Sequence, residues 1–247
     1  MLLVDIGNTS IKAQCWEHGT LRSSFSRRTN GNWQNCLDQY LESVESKSCY
    51  QTSVRADDIH QTIVDRLKDR FGGQYQQVSS AAITGRVINA YQQPARMGSD
   101  RWFALLGTAD SIEGDAIIVD AGTAITVDLL KSDGRHLGGA IIAGFHTSAE
   151  QFKTVMRTAD FEHPDILQTD KPGCTTESCI QIDYESGDTE TRLGNIVRRW
   201  LPLLDGSTNL VLSGGDWRLV PEFNGIERIV FTDLVFKGLL AHIKNNL

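Results

Sequence analysis

Two short segments of the sequence combine an acid, a glycine and small polar residues directly after an apolar run. They are Val4–Thr9 (VDIGNT) and Val119–Ala124 (VDAGTA), and each lies between two stretches that predict strands. An acid at the end of a buried strand lies at the sheet edge where α/β proteins bind ligands. The glycine allows a sharp turn whose N–H groups can face an anion. Because carboxylates repel phosphate, the two acids would hold a cation, directly or through water.

The side chains around these turns suit a phosphate chain. Lys12 adds a positive charge on the same strand face as Ser10. Further side-chain donors come from Asn8, Thr9, Ser10 and Thr123. A single Asp-x-Gly is also an ordinary β-turn signal, but two copies about half a chain apart, each between strands, favour a ligand site. The sequence has no Gly-Lys dipeptide and no Gly-x-Gly triplet, which excludes the Walker A loop and the glycine loops of Rossmann proteins and protein kinases.

A third polar cluster, Gly98-Ser99-Asp100-Arg101, lies directly before a helical pattern. The N-terminus of a helix favours the ionised form of an acid, which is the form that a general base needs. Arg101 could bind a substrate carboxylate with its planar fork of donors. The alternative is a capping Asp100 beside a solvated Arg101.

A glycine pair, Gly214-Gly215, follows the predicted strand Leu210–Ser213. With no Cβ in the way, a flat adenine ring could approach the backbone there. A plain turn into the next helix fits the pair equally well.

The elements that must position these groups form two similar series. In the first, apolar runs and spacing predict strands at Leu2–Ile6, Ser10–Trp16 and Leu21–Ser26, then helices at Trp33–Val44 and around 59–67 and from Asp100 to Ala109. The second has predicted strands at Ala116–Asp120, Ile125–Leu130, His136–Ile142, Leu210–Leu212 and Arg228–Phe231, and helices at 147–156, 176–204 and Leu234–Ile243. We infer two similar α/β halves, residues 1–113 and 114–247, packed across a cleft.

Composition narrows the class of protein. The chain has 247 residues, 40% of them hydrophobic, and a formal net charge of −7, which argues against nucleic acid as a partner. Its five cysteines form no CxxC pair and predict reduced thiols. We expect neither a signal peptide nor a membrane span, and therefore a cytoplasmic protein.

The Asp5–Lys12 turn, the motif Tyr-x-x-Pro-x-x-x-Gly-x-Asp-Arg from Tyr91 to Arg101, and the Asp120–Thr123 turn occur in this order. Together they resemble the motifs of type III pantothenate kinases, members of the acetate and sugar kinase, Hsp70 and actin superfamily. The resemblance spans nearly the whole chain. It implies an α/β fold of two ribonuclease-H-like, actin-like ATPase domains with mixed sheets and ATP in the cleft between them.

The resemblance also implies roles for individual residues. Asp100 would be the general base on the pantothenate hydroxyl, Asp5 would lie near Mg²⁺ through water, and Asp120 would bind a monovalent cation, K⁺ or NH₄⁺. The expected ATP-binding residues are Asp5, Gly7, Asn8, Thr9, Ser10, Lys12, Gly122, Thr123, Gly214 and Gly215. The expected pantothenate-binding residues are Tyr91, Gly98, Ser99, Arg101 and Thr176. The family is dimeric, with the substrate pocket at the subunit interface.

The implied activity is the ATP-dependent phosphorylation of pantothenate to 4'-phosphopantothenate, the first step of coenzyme A synthesis. Two alternatives remain. One is a kinase or phosphatase for another small hydroxy acid on the same fold, and the other is a catalytically silent regulator that binds nucleotide.

Overall fold

The computed structural model describes residues 1–147, 171–180 and 189–246. The chain forms two compact units, Met1–Ser79 and Ser80–Leu247. The sequence had suggested a division after residue 113, where the strand pattern restarts. The two divisions differ in the placement of residues 80–113.

The first unit is a five-stranded sheet with two helices. Its strands, in chain order, are β1 (Leu2–Ile6), β2 (Ser10–Glu17), β3 (Thr20–Arg28), β4 (Cys49–Ser53) and β5 (Tyr75–Gln77). They lie in the order β3-β2-β1-β4-β5, with β1, β2 and β3 antiparallel and β4 and β5 parallel to β1. The apolar stripes of α1 (Trp33–Ser43) and α2 (Asp58–Phe71) pack on the β1 face that carries Leu2, Val4 and Ile6.

The second unit repeats this sheet. Its strands are the short hairpin β6 (Ile83–Thr84) and β7 (Val87–Ile88), then β8 (Asp115–Ala121), β9 (Ala124–Leu130), β10 (His136–Ala143), β11 (Thr208–Ser213) and β12 (Glu227–Val230). The order β10-β9-β8-β11-β12 has the same pattern of three antiparallel strands followed by two parallel ones. The described helices are α3 (Ser99–Ser111), α4 (Thr176–Cys179), α5 (Thr189–Trp200) and α6 (Leu234–Asn246). The repeated topology confirms the prediction of two similar α/β sheets.

Helix α3 belongs to the second unit because it packs closely against α6. A Cβ on Gly107 of α3 would lie 2.5 Å from the Leu234 carbonyl oxygen, and one on Gly238 of α6 would lie 1.8 Å from the Phe103 carbonyl oxygen. Two glycines thus let the helix backbones touch. This contact joins α3 to α6, and α3 also packs against β8 and β9 of the second sheet.

Most predicted strands and helices lie within two residues of their observed bounds. Strands β4, β5, β6 and β7 were not predicted from the sequence. Of the predicted helix at 147–156, only residue 147 belongs to the described residues. The predicted helix at 176–204 corresponds to α4 and α5, and its residues 181–188 also lie outside the described ranges. Among the described helices, none is both long and apolar enough to cross a membrane.

Candidate active site

The first Asp-x-Gly turn joins β1 to β2 in the first unit. Asp5 is a buried residue of β1 and stands opposite Lys12 of β2 in the antiparallel register. The Gly7 N–H donates to the Ser10 carbonyl at 2.9 Å and closes the turn. Asn8 and Lys12 are exposed, as expected of groups that meet a ligand in solution.

An arginine that the sequence analysis did not select also contacts this turn. Arg55 Nη1 donates to the Asn8 carbonyl at 2.5 Å. The Thr9 carbonyl accepts from the Thr29 N–H at 3.0 Å. Because Arg55 and Asn8 are far apart in sequence, only the fold brings them together.

The second turn, from β8 to β9, is fixed through the Thr123 carbonyl. This oxygen accepts from the Gly144 N–H at 3.1 Å and from the Thr147 hydroxyl at 2.6 Å. The Gly122 N–H donates to the Ala124 carbonyl at 3.1 Å. Asp120 lies at the end of β8, so the second turn presents its acid at the sheet edge as the sequence predicted.

The glycine pair after β11 lies against this second turn. Gly214 has φ +85°, and a Cβ there would lie 2.2 Å from the Ala121 carbonyl oxygen. The same oxygen accepts from the Asp216 N–H at 2.9 Å. A Cβ on Gly215 would meet nothing within 4 Å. Only the second glycine therefore leaves open space beside the backbone, as approach of an adenine ring requires.

The carboxylates of Asp5 and Asp120 suit cations that are held mainly by phosphate and water. In residues 1–147, 171–180 and 189–246, no cluster of three or more His, Cys, Asp or Glu side chains could enclose a metal ion. Asp5 and Asp120 each bring one carboxylate to a phosphate-type turn. Mg²⁺ in kinases usually binds one or two carboxylates together with substrate phosphates, so this arrangement is compatible with a metal that arrives with ATP.

The Gly98 motif lies at the start of α3, as predicted. Gly98 precedes the helix, and the Asp100 carboxylate accepts from the Arg101 N–H at 2.7 Å. Burial raises the pKa of Asp100 above its usual range, although the Arg101 N–H and its charge act in the opposite direction. A carboxylate with a raised pKa is a stronger base than an ordinary aspartate.

Arg101 is buried. This excludes the solvated Arg101 of the alternative reading, in which Asp100 only caps the helix. Its Nε and Nη2 donate to Asp128 Oδ2 and Oδ1 at 2.9 and 2.6 Å. Asp128 Oδ1 also accepts from His136 Nε2 at 2.9 Å. Burial alone would raise the pKa of Asp128, but the Arg101 charge and the His136 and Arg101 hydrogen bonds lower it to about 2.

The remaining donors of Arg101 lead to Tyr91. Arg101 Nη1 donates to the Tyr91 hydroxyl oxygen at 2.7 Å, and that hydroxyl lies 3.3 Å from Cys179 Sγ. Tyr91 lines a small pocket of about 60 Å³ together with Gln92, Gln93, Arg96, Cys174, Thr175 and Thr176. The Thr176 hydroxyl donates to the Arg96 carbonyl at 3.0 Å. The structure thus places two expected pantothenate-binding residues, Tyr91 and Thr176, on one pocket.

Three residues of this network were not selected from the sequence. They are Asp128, His136 and Cys179. Asp128 contacts His136 directly, and Arg101 donates to both Asp128 and Cys179. A motif search does not find them, because their partners are distant in sequence. None of the five cysteines forms a disulfide.

Comparison with known proteins assigns the chain to a family. The model of the type III pantothenate kinase family matches residues 1–186. A type III pantothenate kinase of Idiomarina loihiensis is 31% identical over 97% of both chains, and one of Pseudomonas fluorescens is 30% identical over the same share. A structure from Sinorhizobium meliloti described as a 2-dehydro-3-deoxygalactonokinase has a TM-score of 0.51 at 13% identity over 98% of both chains.

A second structure, from Campylobacter jejuni and described as a Baf family transcriptional activator, has a TM-score of 0.50 at 22% identity. It covers 100% of this chain and 98% of its own. At these identities the two structures show a shared fold alone. The match of the family model to most of the sequence goes further, and the chain belongs to the type III pantothenate kinase family.

Proposed function

We propose that this protein transfers the γ-phosphoryl group of ATP to the hydroxyl of pantothenate, giving 4'-phosphopantothenate and ADP in the first step of coenzyme A synthesis. The observation that carries this proposal is the Asp100 carboxylate at the start of α3, in a chain of the type III pantothenate kinase family. Family membership supports the substrate, and the raised pKa of Asp100 supports its role as the base.

The reaction needs a base, a positioned hydroxyl and stabilised phosphate charge. The pantothenate oxygen forms the new bond to the γ-phosphorus as the bond to the ADP oxygen breaks. The hydroxyl proton passes to Asp100. Because phosphoryl transfer depends mostly on positioning and electrostatics, one carboxylate at the nucleophile suffices.

For the ATP side, we assign the first turn to the phosphates, with Asp5 facing Mg²⁺ through water and Lys12 adding positive charge. Thr123 contacts phosphate from the second turn, and Asp120 holds K⁺ or NH₄⁺. The residues that donate or border ATP are Gly7, Asn8, Thr9, Ser10, Gly122, Gly214 and Gly215. The exposure of Asn8 and Lys12 supports phosphate binding by the first turn. The cations supply positive charge that offsets the charge of the phosphates.

For the pantothenate side, we assign Tyr91, Gly98, Ser99, Arg101 and Thr176. The pocket beside Tyr91 and Thr176 is small, about 60 Å³. We propose a homodimer in which a second copy of the chain closes this pocket, and a cytoplasmic location, where ATP is supplied.

The test is ADP release from ATP and Mg²⁺ with and without pantothenate, run once in K⁺ and once in Na⁺ alone. Pantothenate-dependent turnover, faster in K⁺, is the expected result. A panel of other small hydroxy acids tests the substrate, and the molar mass in solution tests the dimer.

The alternatives predict different results. Turnover on another hydroxy acid but not on pantothenate would overturn the substrate assignment. ATP binding without turnover on any acid in either salt would overturn catalysis and leave a silent regulator.

A further inference from the structure

Arg55 lies just after β4 and connects three parts of the first unit. Its side chain is only 10% exposed. Nη1 donates to the Asn8 carbonyl at 2.5 Å and to the Thr29 hydroxyl at 3.0 Å. Nε donates to Asp57 Oδ1 at 3.0 Å, and Nη2 contacts the other oxygen of the same carboxylate. One guanidinium therefore links the first phosphate-type turn to the residue before α2.

Asp57 gives Arg55 a fixed support. It is the N-cap of α2, and its Oδ1 accepts from the His60 N–H at 3.1 Å. The hydrogen bonds of Arg55 are the main cause that lowers the pKa of Asp57, so the carboxylate is ionised at neutral pH. The backbone is held as well, because the Ser53 hydroxyl accepts from the Arg55 N–H at 3.0 Å and donates to the Ile6 carbonyl at 3.3 Å.

The contact with Asn8 has a direct geometric consequence. The peptide between Asn8 and Thr9 is trans, so its C=O and N–H point in opposite directions. When Arg55 holds the Asn8 carbonyl on one side, the Thr9 N–H is directed to the other. That N–H belongs to the turn assigned to the ATP phosphates, and its direction decides whether it can meet a phosphate oxygen.

We propose that Arg55 is a positioning residue for ATP: it holds the Asn8 carbonyl against the α2 N-cap and so sets the orientation of the phosphate turn. The positive charge of Arg55 is balanced by Asp57, so the side chain acts through geometry rather than by attracting phosphate. This inference rests on the proposed function, because it takes the first turn as the ATP phosphate site.

The test measures nucleotide binding separately from turnover. Arg55→Ala and Arg55→Lys are compared with wild type for binding of a non-hydrolysable ATP analogue with Mg²⁺, without pantothenate, by calorimetry. We expect about tenfold weaker binding for both variants, since each loses hydrogen bonds to a charged group. Lysine keeps the charge but lacks the fork that reaches Asn8 and both Asp57 oxygens at once. The KM for pantothenate should stay within about twofold of wild type if the effect is local to this turn.

Arg66→Ala is the matched control. Arg66 lies on α2 of the same unit, and its Nε donates to Asp38 at 2.9 Å without contacting the turn. It should bind the analogue as wild type does. Circular dichroism confirms that each variant is folded, and Arg55→Lys keeps the test decisive if Arg55→Ala unfolds.

Two outcomes would overturn the proposal. Wild-type affinity in Arg55→Ala means that the turn does not need this contact. Full affinity in Arg55→Lys means that charge, not geometry, is what ATP requires. A wild-type protein that binds the analogue but does not phosphorylate pantothenate refutes the proposed substrate instead, and the binding comparison still tests Arg55.

Discussion

The Arg101 guanidinium meets the Asp128 carboxylate edge to edge, through two parallel hydrogen bonds of 2.9 and 2.6 Å. The two side chains are 3% and 4% exposed. Arg101 is part of the motif that points to pantothenate, yet its charge is balanced inside the protein. We therefore expect Arg101 to shape the pocket through Tyr91, which it contacts at 2.7 Å, more than to bind the substrate carboxylate by itself.

Asp128→Asn should reveal how much the buried pair stabilises the fold. The substitution leaves the buried charge of Arg101 without a compensating carboxylate, and breaking a buried pair costs about 3–5 kcal/mol. Urea denaturation measures the free energy of unfolding. The control is Asp110→Asn, because Asp110 lies on α3, the helix that carries Arg101, and pairs with Lys244 at 3.8 Å on the exposed surface. That change should cost no more than about 1 kcal/mol, and equal losses in the two variants would contradict the prediction.

Asp100→Asn should separate catalysis from stability. Loss of a general base lowers kcat by about 10²–10⁴-fold, while binding of an ATP analogue stays unchanged. Asn can still accept from the Arg101 N–H, so the helix start keeps its hydrogen bond. Near-normal turnover would remove Asp100 as the base.

The pH dependence of Asp100 has a definite sign. Its pKa is raised by burial, so at neutral pH its ionised form destabilises the folded state; this penalty begins to decrease as pH falls below the folded pKa and is gone only below the unfolded pKa. Asp100→Asn should therefore unfold at neutral pH with a free energy equal to or above that of wild type. In wild type, kcat/KM should fall on acidification with a midpoint above 3.8, the ordinary value for an aspartate.

Gly214 and Gly215 are neighbours in sequence with opposite tolerance for a side chain. Gly214→Ala should reduce stability and ATP binding together, because its Cβ would lie 2.2 Å from the Ala121 carbonyl oxygen at φ +85°. Gly215→Ala has open space and should change the unfolding free energy by no more than about 0.5 kcal/mol. If adenosine borders Gly215, this variant binds ATP more weakly at unchanged stability. Thermal unfolding and calorimetry measure the two effects.

Local patterns were sufficient to predict the strands around both turns, because β1 and β8 are apolar runs that end in an acid. Strand β4 was not predictable in this way. Its Gln51 and Thr52 are polar yet fully buried, and Gln51 Oε1 accepts from the Tyr75 hydroxyl of β5 at 2.8 Å. That partner of Gln51 becomes known only with the fold, whereas Gln51 Nε2 and Thr52 Oγ1 are buried with no hydrogen-bond partner among the described residues.

The same limit applies to the candidate site. Asp128 alternates with Val127 and Leu129 in β9, a pattern that predicts an exposed position for the acid. Its burial depends on Arg101 and His136. The Gly98–Arg101 motif, by contrast, was predictable because its glycine, acid and helix start are contiguous. Contacts between distant segments, such as Arg55 with Asn8, required the structure.

Tyr91→Phe should raise the KM for pantothenate by about 5–10-fold and leave the KM for ATP unchanged. The change removes the hydroxyl that accepts from Arg101 Nη1. The buried charged donor is then unpaired, which costs about 1–3 kcal/mol. The ring of residue 91, which lines the pocket, also loses the hydrogen bond that fixes its position. The control is Tyr75→Phe, which also removes a hydroxyl that makes a hydrogen bond, in the first unit. Both variants should lose stability in urea, but only Tyr91→Phe should change the pantothenate KM. Because both variants lose a hydroxyl that makes a hydrogen bond, a KM effect shared by the two would trace to general destabilisation, and the assignment of Tyr91 to the pantothenate pocket would then be wrong.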